Sequence, residues 1–266
     1  MAVGAVLAAG GLVLAPALRG ADPPPPGELV VSFLDVGQGD ATLLQHGGAS
    51  ILVDTGPPGA PIVERLKESG VRRLDALLLT HAEADHEGMA LEVVRAFKPR
   101  LILDGGAGWP TPVQRGLPRT AVPAHAGQQL AIGGIRLKVL WPPRPPPGWR
   151  ADGNPNLRAV VALASVGSFD VLLPADAESE VTNPLELPDV DVLKIAHHGS
   201  DDPGLPALLA RTKPEVAAIE VGRENTYGHP TPDTLAALKV VPTMLRTDND
   251  GTSRVRVTAS GVKIER

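Results

Sequence analysis

From residue 28 onward, short apolar runs alternate with turn residues. LVVSFLDV, ATLLQH and SILVDTG read as three strands, PIVERLKESG has helical spacing, and LDALLL reads as a buried fourth strand. A second helical segment, EGMALEVVRAFK, leads into the strand RLILDGG. After a proline-rich excursion over residues 142–155, AVVALAS, DVLLPAD and DVLKIAHHGS are the next strand candidates. LPALLARTK, EVAAIEVG, TPDTLAALK and two closing strands follow. An early strand meander followed by alternating strand and helix predicts an α/β fold, with sheets inside and helices outside.

The chain divides at its start. Residues 2–18, AVGAVLAAGGLVLAPAL, are uncharged and mostly apolar. As a helix they would span about 25 Å, slightly less than a bilayer core. Arg19 and the PPPP run at 23–26 follow, the latter an extended linker. Residues 1–27 are therefore set apart as an apolar segment plus proline linker, and 28–266 as the folded domain. A signal peptide ending at Ala15-Pro16-Ala17, though without a basic n-region, and the stub of a membrane span both fit the apolar run. Either predicts an extracytoplasmic protein, secreted or attached to a membrane through residues 2–18.

Composition narrows the chemistry. With 266 residues, 43% hydrophobic and 21% charged, the chain is globular, and 29 Gly with 28 Pro predict many short elements. Three Phe, three Trp and one Tyr leave the core to aliphatic residues and nearly exclude stacking platforms for single-stranded nucleic acid. A net charge of −5 requires any polyanion binding to be local. The absence of Cys excludes disulfides, thiolate zinc sites and a cysteine nucleophile.

The richest cluster is Thr80-His81-Ala82-Glu83-Ala84-Asp85-His86, at the exit of the LDALLL strand. Side chains 81, 83 and 85 can converge in an irregular loop, while His86 points elsewhere and serves a second metal. Asp176 closes DVLLPAD, His197-His198 close DVLKIAHHGS, and His229 sits in a turn. Singly, each has a structural explanation, such as a helix cap or a core histidine. Together they are hard ligands gathered at strand ends, as an α/β active site requires. In an extended chain His197 and His198 project oppositely. Gly199 favours His198 as the ligand and leaves His197 to contact substrate. Gly37 and Gly39 either present N–H groups to a phosphate or form an ordinary turn. His125 reads as a surface residue.

The motif T-H-x-E-x-D-H-x-G over Thr80–Gly88, with Asp54-Thr55-Gly56 upstream, resembles the metallo-β-lactamase superfamily. Asp35–Ala41 (DVGQGDA), Asp176-Ala177-Glu178, His197-His198-Gly199-Ser200 and Tyr227-Gly228-His229-Pro230 are similar to the C-terminal domain of ComEC-type DNA-uptake competence proteins. The resemblance covers residues 28–264. It implies a four-layer αββα sandwich with a dinuclear metal site at one edge, formed by His81, Glu83, Asp85, His86, Asp176, His197 and His198. Carboxylates and imidazoles together suit manganese or zinc, with magnesium a further option.

The implied activity is a phosphodiesterase or nuclease. Asp176 bridges two divalent ions, and a hydroxide held between them attacks phosphorus in line. Asn154 and His229 donate to phosphate oxygens, with His229 protonating the leaving group, while Asp54 and Asp40 orient ligands and loops. DNA is the implied substrate, with Arg144, Arg150 and Arg223 as the nearest cationic residues; no protein partner is implied. Two departures stand out: Glu83 where the competence family usually has Asp, and Ala175 where it often has Gly. The superfamily's isolated third-motif histidine also has no evident counterpart. A hydrolase of another ester, and a non-catalytic DNA-binding module, are the alternative readings.

Overall fold

The computed structural model describes residues 22–146, 149 and 151–266. The apolar run 2–18 and Arg150 lie outside the described residues. In chain order the first half contains β1 (Leu29–Phe33), β2 (Thr42–His46), β3 (Ala49–Val53), α1 (Ile62–Glu68), β4 (Ala76–Leu79), α2 (Ala84–Glu87), α3 (Ala90–Phe97), β5 (Leu101–Asp104), α4 (Pro112–Gly116), β6 (Val122–Pro123), β7 (Gln129–Ile132) and β8 (Ile135–Trp141). The second contains β9 (Val161–Val166), β10 (Phe169–Leu173), α5 (Ser179–Thr182), β11 (Val192–Lys194), α6 (Leu205–Thr212), β12 (Val216–Ile219), α7 (Pro232–Ala237), β13 (Thr243–Arg246), α8 (Thr247–Asp250), β14 (Ser253–Thr258) and β15 (Gly261–Glu265). EGMALEVVRAFK, read as one helix, is divided between α2 and α3 at Gly88-Met89.

Two mixed sheets result, ordered β15-β14-β1-β2-β3-β4-β5-β6 and β13-β12-β11-β10-β9-β8-β7. Each is antiparallel in one part and parallel in the other: β3 to β6 run parallel in the first, and β10 to β13 in the second. Strand parity assigns the layers. In β4, Ala76 and Leu78 face the core between the sheets, while Leu77 and Leu79 face the helix layer with Ile62, Leu66, Val93 and Phe97. In β11, Val192 faces the inter-sheet core and Leu193 the helix layer with Leu205, Leu208 and Leu209. Strands covered on both faces explain why β1, β4, β11 and β12 are buried throughout. By contrast, β8 alternates buried and exposed residues over Ile135–Val139. The layers are helix, sheet, sheet, helix: an αββα sandwich.

Parity also places the polar residues. Lys194 follows Leu193, so its side chain returns to the inter-sheet side, where it pairs with Asp40 from the loop between β1 and β2. Asp54, His81, Asp176, His197 and Glu220 lie within three residues of the carboxyl ends of β3, β4, β10, β11 and β12. Ligand sites of open α/β sheets form at this end. Gly39 lets the β1–β2 loop pass close to the loop after β4. A Cβ there would stand 2.2 Å from the Asp85 carbonyl oxygen, whose partner is the Asp40 N–H at 3.1 Å.

Replacing Gly39 by Ala is expected to destabilise the domain by about 1–3 kcal/mol, the usual range for forced overpacking. Chemical denaturation measures this, and a variant as stable as the parent would show that the two loops are not in tight contact.

Candidate active site

The site begins with Asp54, held at φ 60° immediately after β3. Its carboxylate accepts the Thr80 N–H at 2.8 Å, the Thr80 hydroxyl at 2.7 Å and the His86 Nδ1–H at 2.9 Å. Asp54 therefore fixes the His86 tautomer and leaves the Nε2 lone pair facing inward. Thr80, having donated its own proton, accepts the His81 Nδ1–H at 3.0 Å, which exposes His81 Nε2 in the same way. His86 Nε2 lies 3.1 Å from Asp176 Oδ1, and His81 Nε2 lies 3.8 Å from Asp176 Oδ2. All three residues are buried.

His81 Nε2, His86 Nε2 and Asp176 Oδ1 are buried atoms with no hydrogen-bond partner, although His81, His86 and Asp176 bring donor atoms within 4.8 Å of one another. Buried polar atoms are normally satisfied, so three unpaired ones that converge call for a ligand. Two imidazole nitrogens and a carboxylate fit a divalent cation.

The second sheet contributes from the other side. Ala175 adopts φ 52°, which accounts for the Gly usual there, and its carbonyl accepts both Lys194 Nζ–H and the His197 N–H at 3.1 Å. The expectation that His197 and His198 project oppositely fails because the chain is not extended there. Both adopt left-handed φ, 49° and 54°, ahead of Gly199, and both rings face the site. His198 donates its Nδ1–H to the Glu220 carbonyl at 2.8 Å, and its Nε2 stands 3.3 Å from Asp85 Oδ2. His197 donates its Nδ1–H to Glu178 at 2.8 Å, and its Nε2 lies 3.8 Å from Asp176.

Asp40 plays a different part. With His86 and His198 it forms another close donor set, but the buried Lys194 ammonium lies against its carboxylate. A cation is already in place there, so Asp40 is a poor metal ligand and an anchor for Lys194 and His198. Burial disfavours the charged Asp40, yet Lys194, His86 and His198 hold its pKa well below the ordinary carboxylate range. Glu220 is pushed up to about 8 by burial and by the Asp40 charge, and it accepts from Ala41 N–H and the Thr42 hydroxyl.

Burial opposes charge on the histidines as well. At His86 the carboxylates of Asp176, Asp40 and Asp54 outweigh it and raise the pKa; at His198 Asp40 and Asp176 raise it to about 10. At His81 burial and the neighbouring His86 prevail, lowering the pKa to about 3.

The cluster opens into a cleft of about 540 Å³, walled by Glu83, Asn156, His197, Tyr227 and His229 among others. Glu83 is half-buried on this wall and outside both donor sets. Asn154 takes no part in the wall, because its Oδ1 accepts the Asn156 N–H at 3.0 Å and caps a short 3-10 turn; Asn156 faces the cleft instead. His229 lines the cleft with its Nδ1 buried and unpaired. His125 does not line it. The Gly37 N–H is taken by Asp35 at 3.3 Å and is not free for a phosphate. Lys194 and Glu220 were not picked out by sequence reasoning and could have been, as charges inside the apolar runs VLKIA and VAAIEVG; Glu178 and Asn156 fell inside motifs without a role of their own.

Residues 34–158 match the metallo-beta-lactamase superfamily, and the motif loop and both sheets share that architecture. The chain is similar to this superfamily over those residues. Among curated proteins, the chain is 29% identical over 258 residues to ComE operon protein 3 of Bacillus subtilis, covering 85% of the chain and 33% of that protein. It is 29% identical over 254 residues to competence protein ComA of Neisseria gonorrhoeae, covering 91% of the chain and 34% of that protein. The chain thus spans about a third of the length of these relatives. Among solved structures, the metallo-beta-lactamase fold protein YhfI of Bacillus subtilis superposes with a TM-score of 0.55 at 15% identity, covering 82% of this chain and 95% of that one. The fold is shared, and the chain is related to competence proteins.

Adding manganese or zinc to metal-free protein is expected to raise its stability, by about 2.7 kcal/mol at a hundredfold excess over Kd. Asp176→Asn should lose most of that gain; thermal melts with and without metal decide it, and an undiminished gain in the variant would remove Asp176 from the ligand set. Separately, Lys194→Met should cost about 3–5 kcal/mol by stranding Asp40, with much of the loss regained in the Lys194→Met/Asp40→Leu double variant. Denaturant titration of the three proteins reads this; equal stability of Lys194→Met and the parent would contradict the pairing.

Proposed function

We propose that this domain is a metal-dependent phosphodiesterase acting on DNA. The observation that carries the proposal is the unpaired set His81 Nε2, His86 Nε2 and Asp176 Oδ1 beneath an open cleft. The name of a relative, a competence protein, supports DNA as the substrate. His81, His86 and Asp176 would hold one divalent cation, and Asp85 and His198, 3.3 Å apart, would supply ligands to a second. When bound, such ions, manganese or zinc, supply a lowered pKa for water and positive charge for the oxygens of an in-line displacement.

The chain's own residues divide the rest of the work. Asp54 and the Glu220 carbonyl hold His86 and His198 in the ligating tautomer. The hydrogen bond to Glu178 raises the His197 pKa, which suits His197, on the cleft wall, to meet a phosphate oxygen or to give a proton to the leaving alkoxide. Burial and the neighbouring His197 and His198 lower the His229 pKa. His229 is therefore neutral at pH 7 and suited to orient substrate rather than to protonate it. Arg144 and Arg223 are exposed and available to steer the backbone. The apolar run at 2–18 supports an extracytoplasmic location, and no helix among the described residues is long and apolar enough to cross a membrane.

The proposal is tested by supplying manganese, magnesium or zinc and following cleavage of a single-stranded oligodeoxynucleotide beside bis-p-nitrophenyl phosphate and a lactone. Metal-dependent DNA cleavage is expected, and His86→Ala should abolish it. Rapid lactone or small-diester hydrolysis with DNA untouched would favour a different ester substrate, while DNA binding without any hydrolysis would favour a binding module. If charged His197 acts on the phosphate, activity falls as pH rises through its pKa, and Glu178→Gln, which removes the cause of the upward shift, should move that limb to lower pH. A pH–rate profile with an unmoved limb would take His197 out of this role.

A further inference from the structure

Tyr227 is the chain's one tyrosine and is 70% exposed, yet it stands on the wall of the cleft. The exposure is built in. Asn225 clamps the base of this loop, donating to the carbonyls of Gly222 at 2.9 Å and His229 at 2.8 Å and accepting the His229 N–H at 3.1 Å. The Gly222 N–H in turn donates to Gln38 Oε1 at 3.0 Å, which ties the loop to the opposite sheet's β1–β2 turn.

The ring ends a stair that climbs from the donor cluster to solvent. His197 lies 3.8 Å from Asp176, the His197 and His229 rings are 5.8 Å apart, and the His229 and Tyr227 rings are 5.9 Å apart and tilted by 31°. A substrate whose reacting centre lies over Asp176 passes this series on its way out. We propose that Tyr227 is the stacking surface for one nucleobase next to the scissile phosphate. This inference rests on the DNA phosphodiesterase reading and deepens it.

An exposed phenol ring offers a π-face to any base, so the contact is tolerant of sequence. A base held inside a duplex has both faces occupied and cannot reach it. The substrate is accordingly a single strand or an unpaired end. The composition argues against a row of stacking platforms, and among the described residues Tyr227 is the one Phe, Trp or Tyr that lines the cleft. One such ring on the cleft wall confines the dependence on bases to one nucleotide.

The test uses the full chain with manganese or zinc supplied, and compares a short single-stranded oligodeoxynucleotide with a strand of the same length built from abasic residues. Anisotropy binding of both strands is measured alongside KM and kcat. Tyr227→Ala is expected to raise KM and Kd for the base-containing strand by about tenfold, within the range of single base–aromatic stacks. It should leave kcat within about twofold and the abasic strand unaffected. Tyr227→Trp should restore the parent values. A wild-type protein that cleaves DNA while Tyr227→Ala matches it on both strands, or loses equally on both, overturns the stacking role alone. A wild-type protein that neither binds nor cleaves either strand overturns the nuclease reading and the stacking role together.

Discussion

Negative charge buried at the seam between the two sheets is the constraint on which this structure depends. Asp40, Asp54 and Asp176 are all nearly inaccessible to solvent, and none can stay ionised there without a positive partner or a set of strong donors. Asp40 is matched by Lys194, whose ammonium comes from the opposite sheet. Asp54 is matched by two donors from Thr80 and one from His86. Asp176 has no such dedicated partner. Its neighbours are imidazole nitrogens already turned toward it by hydrogen bonds on their far sides, and that asymmetry separates a ligand position from a structural ion pair.

The sandwich makes the arrangement possible. Parallel strands of both sheets end at the same edge, so short loops of different sequence origin meet over one small volume. The strands are buried on both faces and hold those loops rigidly; the left-handed residues Ala175, His197 and His198 then turn backbone and side chains into the seam. Left-handed backbone at bulky residues costs about 1–2 kcal/mol each. The hydrogen bonds from Lys194 Nζ and the His197 N–H to the Ala175 carbonyl offset part of that cost and couple strain to the site.

Much of this was legible from residue order, for identifiable reasons. The H-x-E-x-D-H loop is contiguous, so its density of ligand types shows without a fold, and the strand before it is marked by an unbroken apolar run. The four-layer sandwich was legible through the resemblance those motifs carry, since apolar periodicity alone shows only buried strands and amphipathic helices. What escaped depends on contacts between distant segments. Lys194 and Asp40 are 154 positions apart and read as an ordinary strand lysine and a turn aspartate. The His197-His198 pair was misjudged because successive left-handed residues leave no mark in the letters. Asn154 and Asn156 are equivalent in sequence, and only the capping hydrogen bond shows which one is free to face the cleft. Glu83 sits in the motif but outside the donor cluster, a distinction of side-chain placement that spacing does not carry.

The cation site assigned to His81, His86 and Asp176 rests on donor atoms that converge on one buried volume. The most direct measurement is anomalous diffraction at the manganese or zinc edge from crystals grown with that metal. The account predicts a peak within bonding distance of His81 Nε2, His86 Nε2 and the Asp176 carboxylate, with Lys194 still paired to Asp40. A fully ordered site with no anomalous density there, or a metal bound by Asp40 with Lys194 displaced, would contradict it.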